Sequence, residues 1–188
     1  MPNVESFAGT ASGTGANNNM LADDGNVTRI RDGQTQTLSD FDNKTLSIPS
    51  GATIDGIEVI FDTANNGGNG ENNTGAWIKV NNGSSDSSAK LTTAGNAWDE
   101  NFSDGTDIRI AGGTTDLWGL SWTPSTAEGI SVIMGWTSTA GSAFYNNYVK
   151  VKVYYTEGDA APTTYNNSSD EQIISKNTVF VSTGLIEF

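Results

Sequence analysis

The 188-residue chain contains neither cysteine nor histidine. Without cysteine it can form no disulfide bond and supplies no thiol nucleophile. Without histidine it has no imidazole to act as a general base or as a metal ligand. A zinc site built from the usual Cys and His ligands is excluded for the same reason. These absences remove several large classes of enzyme and of metal-stabilised domain from consideration.

Positive charge is also scarce. Lys and Arg number 9 against 22 Asp and Glu, which gives a formal net charge of −13 at pH 7. Binding to a nucleic-acid backbone depends on a patch of Lys and Arg, so we predict no nucleic-acid partner. No apolar run reaches the length of a membrane span, and the first residues, MPNVESFAG, lack the basic and apolar regions of a signal peptide. We therefore expect a protein made in the cytoplasm, with no membrane partner.

Apolar residues are few as well, since hydrophobic residues make up only 35% of the chain and glycine accounts for 22 positions. A chain of this length and composition can bury one thin core rather than two. Charged residues make up 16%, so most of the polarity comes from Asn, Thr, Ser and Gly. These residues are frequent in turns and at solvent-facing strand positions, which favours one domain with many turns.

The strongest regular pattern lies in residues 129–156, GISVIMGWTSTAGSAFYNNYVKVKVYYT. Two stretches of alternating apolar and polar residues flank a small polar segment around Gly141, and a period of two is typical of half-buried strands. We predict a β-hairpin here and expect its valine-rich second strand to be central in a sheet. The side chains predicted to face the core are Ile130, Val132, Met134, Trp136, Tyr145, Val149, Val151, Val153 and Tyr155, with Asn146, Lys150 and Lys152 on the opposite face.

Shorter strands are predicted before this hairpin. Asp32-Gly33 is a strong turn dipeptide and predicts a second hairpin between residues 26–32 and 35–41. Residues 114–124 are too apolar for an exposed loop, so we expect them to pack over an open edge or end of the fold. Roughly eight short strands separated by turn signals predict an all-β, antiparallel β-sandwich of jelly-roll type. The other strands are predicted at residues 44–49, 53–64, 75–83 and 88–93 and around Ile108 and Ile110.

The ends of the chain differ from its middle. Residues 1–25 show no hydrophobic period and predict an extended N-terminal arm, while residues 26–156 predict the sandwich domain. Residues 157–188 begin as a linker by composition and regain strand character near the end, which predicts a C-terminal arm. We expect part of this arm to bind a partner by pairing with an exposed sheet edge. The residues predicted to do so are Asn177, Thr178, Val179, Phe180, Val181 and Ser182.

Acidic residues concentrate in residues 98–107, WDENFSDGTD. Asp99, Asn101 and Ser103 have the spacing of the ligands at positions one, three and five of a calcium-binding loop. The EF-hand pattern fails, however, because its glycine is displaced to Gly105 and its twelfth position is Ile110 rather than Glu. A solvated acidic loop is the favoured interpretation, and an irregular calcium site stays open as an alternative. Its candidate ligands are Asp104, Asp107 and Asp116.

Two further groups of residues were considered as sites. Paired carboxylates can hydrolyse a glycosidic bond, and Asp99, Glu100 and Glu128 are candidates, but no pattern marks any of them as catalytic. We predict no enzymatic activity and no cofactor. Exposed tryptophans could instead form a platform for sugar stacking, although Trp136 is predicted in the core and two others in the apolar segment 114–124. The five tryptophans are Trp77, Trp98, Trp118, Trp122 and Trp136.

Three passages stand out by their order and spacing: IPSGATIDGIEVIF (48–61), TDLWGLSWTP (115–124) and YVKVKVYYT (148–156). Together they resemble β-sandwich modules of bacteriophage virion proteins, including fibre-like and capsid-associated proteins. The resemblance covers residues 44–156 and extends to neither arm. It implies a sandwich fold and a place in the virion, and it carries no catalytic residue.

The resemblance and the polar arms together lead to the expected function. We expect a non-enzymatic structural protein of a virion, most simply a capsid decoration or cement protein whose arms bind the major capsid protein or another virion protein. A homo-oligomer, with a trimer favoured, is expected. The alternatives are a short tail or head fibre or receptor-binding subunit, and a carbohydrate-binding module. A chain of 188 residues leaves little room for a fibre shaft and an attachment region, which favours the decoration protein.

Overall fold

The computed structural model describes residues 1–14, 18–31, 33–42, 46–65, 76–91, 108–136 and 143–158. These ranges are dominated by β-strands, with one short α-helix, α1 (Pro124–Glu128), and a single 3-10 turn at Asn18–Met20. The strands are β1 (Asn3–Phe7), β2 (Thr10–Gly13), β3 (Thr28–Arg31), β4 (Thr35–Ser39), β5 (Thr53–Asn65), β6 (Ala76–Asn81), β7 (Lys90–Leu91), β8 (Ile108–Gly113), β9 (Ser131–Trp136) and β10 (Ala143–Thr156).

In the described residues the strands form two antiparallel sheets, which confirms the all-β prediction. Sheet A has the order β1-β10-β5-β8, with β3 also paired to β10, and sheet B has the order β2-β4-β9-β6-β7. Strand β10 is central in sheet A, as predicted, because β1 and β3 pair with it along one side and β5 along the other.

The core lies between the inner faces of the two sheets. Val149, Val151 and Val153 of β10 are fully buried and alternate with the outward-facing Lys150 and Lys152. Each fully buried aliphatic side chain stabilises the fold by about 1.5–3 kcal/mol relative to exposure. The other core side chains on the long strands include Ile57, Val59, Phe61, Ile78, Val80, Val132 and Met134.

The predicted hairpin of residues 129–156 is wrong, because its two strands belong to different sheets. Strand β9 pairs with β4 and β6 in sheet B, whereas β10 pairs with β1, β3 and β5 in sheet A. The predicted hairpin of residues 26–41 fails in the same way, since β3 lies in sheet A and β4 in sheet B. Alternation in a sequence shows which face of a strand is buried, but it does not identify the neighbouring strand.

A β-bulge reverses the alternation inside β10. The register of β10 against β5 shifts between Asn146 and Tyr148, so Asn147 is an extra residue at this point. Asn146, which the sequence pattern assigns to the outer face, is fully buried, and its amide lies 3.7 Å from the sulfur of Met134 in sheet B. The prediction for Asn146 is corrected, because a strict period of two cannot anticipate an inserted residue.

The extended N-terminal arm is not confirmed. Residues Asn3–Phe7 pair with β10, and Thr10–Gly13 pair with β4, so this segment adds one strand to each sheet. Met20, in the 3-10 turn that follows, is fully buried. Backbone hydrogen bonds hold these strands to the sheets, and they need few apolar side chains, which is why no hydrophobic period marks them. Residues Met1–Glu157 form one compact unit, and the predicted C-terminal arm lies outside the described residues apart from its first two positions.

One local prediction is corrected near α1. Residues 46–49, predicted as part of a strand, do not form one, although Leu46 and Ile48 are buried. Pro124 ends the apolar segment and begins α1, where the Thr123 hydroxyl accepts a hydrogen bond from the Thr126 backbone in a capping box. No helix in the described residues has the length and apolar character needed to cross a bilayer.

Candidate functional site

The outer surface of sheet A carries exposed isoleucines at one edge. Ile110 is 60% exposed and Ile108 46% exposed, and Met1 is the other large hydrophobic residue with comparable exposure in the described ranges. Ile60 of β5, which is half-buried, lies directly opposite Ile110 in the register. We call Ile60, Ile108 and Ile110 the isoleucine strip. A contiguous apolar surface of this kind is a feature of protein contact sites.

The strip lies beside β8, the last strand of sheet A among the described residues. Strand β8 pairs with β5 along one side and with no other strand among the described residues. An edge strand can add a strand from another chain through the backbone N–H and C=O groups along its second side. Such pairing supplies backbone hydrogen bonds, while the isoleucine side chains would supply apolar contacts. The arrangement is suited to binding a polypeptide.

Next to the strip, aromatic rings and lysines cover the middle of sheet A. Phe7 and Tyr148 pack edge to face with their ring centroids 5.6 Å apart. The ammonium group of Lys150 lies 4.4 Å from the Phe7 ring and 5.2 Å from the Tyr148 ring. The same group is 4.0 Å from a carboxylate oxygen of Glu5, an exposed pairing that contributes about 0–1 kcal/mol. These contacts order the side chains without covering the strip.

Asp116, one of the three predicted calcium ligands, is engaged in an ion pair. Its Oδ2 lies 2.7 Å from the Lys90 ammonium, and its Oδ1 accepts a hydrogen bond from the Trp118 backbone at 2.8 Å. Burial acts to raise the pKa of Asp116, but the hydrogen bonds from Lys90 and Trp118 outweigh burial and hold the pKa below its usual value. The other two candidates, Asp104 and Asp107, lie outside the described residues. Within the described ranges, no three His, Cys, Asp or Glu side chains are grouped as metal ligands.

The apolar segment 114–124 packs against the core, as the sequence predicts. Trp118 is 4% exposed and donates its indole N–H to the Ile57 carbonyl oxygen at 3.0 Å. Gly112 makes this contact possible, because a Cβ at that position would lie 2.1 Å from the same oxygen and 2.8 Å from the indole nitrogen. Trp122 also packs against the core and donates to the Leu117 carbonyl oxygen at 2.9 Å. The buried Trp118 ring has no open face for a sugar, whereas Trp122 is half-buried.

Trp77 has a different setting, on the outer face of sheet B. It pairs in register with Gly135, and its six-membered ring lies across that glycine, since a Cβ on Gly135 would be 2.3 Å from Cζ2. The Lys79 ammonium lies 5.5 Å from the ring centroid. The indole therefore lies flat over the neighbouring strand. Trp98 lies outside the described residues, and the side chain of Trp136 is not described.

Of the candidate carboxylates for glycoside hydrolysis and the predicted partner-binding residues, only Glu128 lies within the described residues. Glu128, a candidate carboxylate for glycoside hydrolysis, accepts a hydrogen bond from the Ile48 backbone at 2.7 Å and so ties α1 to the segment before β5. Asp99 and Glu100 lie outside the described residues. The same holds for the predicted partner-binding residues Asn177, Thr178, Val179, Phe180, Val181 and Ser182.

A polar cluster that the sequence analysis did not identify surrounds the bulge of β10. The amide nitrogen of Asn147 donates to Asp23 Oδ1 and to Asp62 Oδ2, both at 3.1 Å. Asp23 follows the 3-10 turn, and Asp62 lies on β5, so the amide joins two distant parts of the chain. The signal in the sequence was the Asn146-Asn147 pair, which interrupts an otherwise regular strand.

No protein-family model matches the chain, and no curated protein matches its sequence.

Proposed function

We propose that this protein is a non-enzymatic structural component of a bacteriophage virion, a capsid decoration or cement protein with a jelly-roll sandwich. The strand order supports the jelly roll. The chain changes sheet at nearly every connection among the described strands, and β1 and β10, near its two ends, are neighbours in sheet A. Two interlocked Greek keys have this character, and viral capsid proteins are among the proteins built on them.

The observation that carries the proposal is the exposed isoleucine strip on β5 and β8, at the edge of sheet A as the described residues define it. A net charge of −13 opposes burial of this strip against the same strip of another copy. An exposed apolar strip in such a molecule gains most when it is covered by a different protein. The protein proposed to cover the strip is the major capsid protein or another virion protein. Binding to it would hold this chain in the virion.

The C-terminal segment completes the proposed attachment. Residues 157–188, including the strand-like Asn177–Ser182, would pair with a sheet edge of a neighbouring virion protein. A second attachment point raises the local concentration of the first and tightens binding without new contacts at either site. A homo-trimer, in which three copies bind around one symmetry axis, is the proposed assembly.

The strip is tested by Ile110→Glu in a capsid co-sedimentation assay. The carboxylate would be desolvated in the bound state, so the capsid-bound fraction should fall about tenfold or more. Thr35→Glu, which adds the same charge at an exposed outward position of β4, is the matched control. Far-UV circular dichroism checks that both variants fold. Equal occupancy of the two variants on capsids would overturn the role of the strip.

Copy number separates the decoration protein from a fibre subunit. A decoration protein should occur at hundreds of copies in each particle, whereas a fibre or receptor-binding subunit should occur at only a few. Quantitative mass spectrometry of purified virions gives this number. A low copy number would replace the decoration proposal with the fibre.

A carbohydrate-binding module is the second candidate, and Trp77 is the observation that favours it. A flat indole held over Gly135 is the type of surface on which an apolar sugar face stacks. A glycan that binds at this site should quench the tryptophan fluorescence of the intact protein. Trp77→Ala should abolish that quenching. Unchanged quenching in this variant would reject the site.

A further inference from the structure

The isoleucine strip lies between two carboxylates. Along the outward face of β5 the side chains follow in the order Glu58, Ile60 and Asp62, and all three are half-buried. In the register with β8, Gly112 lies opposite Glu58, and Ile108 lies opposite Asp62. Four residues of extended strand separate the two carboxylates by about 13 Å. The exposed apolar surface therefore has one acidic side chain at each end.

Each of these carboxylates is oriented by an uncharged donor. The Tyr154 hydroxyl donates to Glu58 Oε2 at 2.9 Å, and the Asn147 amide donates to Asp62 Oδ2 at 3.1 Å. A hydrogen bond from an uncharged group fixes the direction of a carboxylate without removing its charge. Burial raises the pKa of Tyr154, and the hydrogen bond and the charge of Glu58 raise it further. The ends of the strip thus carry oriented negative charges.

The lysine that lies opposite Glu58 does not neutralise it. Lys152 pairs with Glu58 in the register of β10 and β5, but its ammonium group lies 5.4 Å from the centroid of the Tyr154 ring. Neither Glu58 nor Asp62 forms an ion pair in the part of the chain that the structure describes. The charge at both ends of the strip is therefore left to a partner.

We propose that the partner of the isoleucine strip is a protein segment with an apolar centre and a Lys or Arg at each end. Its apolar side chain would pack on Ile60 and Ile110, and its two cations would pair with Glu58 and Asp62. In an extended segment the first, third and fifth side chains point to one side and span about 13 Å, which matches the separation of the two carboxylates. The inference rests on the proposed role of the strip in binding a virion protein, and it adds the chemistry of that protein.

Charge complementarity favours this partner over a second copy of the chain. Two strips packed on each other would bring four carboxylates together in a pair of molecules that each carry a net charge of −13. Like charges brought together in an interface suppress such pairing. A basic segment is instead attracted to the acidic chain at a distance, and it then forms the short-range pairs at the ends of the strip.

Methyl NMR of the full chain tests this preference without a capsid. The first probe is a capped five-residue peptide, lysine–threonine–isoleucine–threonine–lysine, and the second has glutamate in place of both lysines. The first peptide should shift the δ1-methyl resonances of the strip in a saturable way. Its dissociation constant should be lower than that of the second peptide by about threefold or more.

Charge-neutral variants show whether the carboxylates cause this preference. Glu58→Gln combined with Asp62→Asn should remove the difference between the two peptides. Glu5→Gln is the matched control and should retain the difference, because Glu5 also lies opposite Lys152 in the register, but on β1. Far-UV circular dichroism checks that both variants fold.

Co-sedimentation with capsids applies the same variants to the proposed partner. At about 50 mM NaCl the Glu58→Gln and Asp62→Asn double variant should bind capsids about 3–10 times more weakly than the wild type. At about 1 M NaCl the difference should disappear, because salt screens exposed ion pairs. Glu5→Gln should bind as the wild type does at both concentrations.

The outcomes separate this inference from the proposed function. Equal shifts from the two peptides, or no shifts, would overturn the basic partner. Shifts that depend on protein concentration in the absence of peptide would assign the strip to a second copy of the chain. If the wild type and the double variant bind capsids equally at low salt, the basic partner is wrong and the proposed function stands. If the lysine peptide is preferred but the wild type binds no capsid, the proposed function is wrong and the partner chemistry stands.

Discussion

Substitution of Val151 by aspartate tests the architecture at the middle of the central strand. Val151 is fully buried and lies between Ser6 of β1 and Val59 of β5 in the register of sheet A. Its side chain points into the core, opposite in direction to that of Lys150, the preceding residue. A charge at position 151 would therefore enter the apolar layer between the sheets, whereas a charge at position 150 would stay in solvent.

The size of the effect follows from these surroundings. Loss of the buried valine removes about 1.5–3 kcal/mol of apolar burial. An unpaired carboxylate in the same place adds a desolvation cost of several kcal/mol, even if it is relieved in part by protonation. The sum, about 5 kcal/mol or more, is a large share of the 5–15 kcal/mol by which domains are stable. The expected result is a fall in Tm of about 10–20 °C or complete unfolding at room temperature.

Lys150→Asp is the matched control. It removes the cation from above Phe7 and Tyr148 and puts a carboxylate near Glu5, all at a partly exposed position. The expected cost is about 1 kcal/mol, or a fall in Tm of about 2–4 °C. Circular dichroism during heating and urea titration measure both variants. Similar losses in the two variants would refute the assignment of inner and outer faces to β10.

Three further predictions concern Gly112 beside Trp118, the Asp116–Lys90 ion pair and the C-terminal segment. Gly112→Ala should lower the Tm strongly, because φ is +91° at this position and the added Cβ would lie 2.1 Å from the Ile57 carbonyl oxygen. Gly113→Ala is the control and should change the Tm little, because there is open space around its Cβ. Because the pKa of Asp116 is held below its usual value of 3.8, its ion pair stabilises the fold above about pH 4 and is lost as the pH falls through the lowered pKa. Urea titrations from pH 7 to 2 should show a smaller acid-dependent loss in Asp116→Asn, and an identical pH profile would contradict this role. Deletion of residues 157–188 should leave a sandwich that is folded by circular dichroism, since the compact unit spans Met1–Glu157. The same deletion should abolish co-sedimentation with capsids. Full occupancy of capsids by the truncated protein would reject the arm as an attachment point.

The sequence predicted the strands with long regular alternation and the direction of most of their side chains. In β5, β9 and β10 the apolar side chains repeat every second residue, and those residues are the ones buried between the sheets. The apolar residues 114–124 were also predicted to pack on the core, because water is a poor environment for Trp118 and its neighbours. These are local properties, set by which side chains avoid water.

The candidate sites were less predictable. Ile108 and Ile110 were recognised as strand residues, but their exposure depends on the inward position of Arg109 between them and on the place of β8 at a sheet edge. Asp116, a candidate calcium ligand, pairs with Lys90 of β7, and the sequence pattern does not predict this contact. The Asn147 cluster joins residues 124 and 85 positions apart along the chain, a separation that no local motif encodes.

What the sequence determined by itself is the class of the fold, an all-β chain with a buried valine-rich strand, because the period of two is a property of a single strand. Only the tertiary structure decided which strands are neighbours: β9 and β10 face each other across the core instead of pairing, and the first residues of the chain add a strand to each sheet. Backbone hydrogen bonds between strands are nearly independent of side-chain identity. The choice of neighbour is made by the packing of the two sheets as a whole, and the bulge at Asn147 and the exposed edge of β8 follow from that choice.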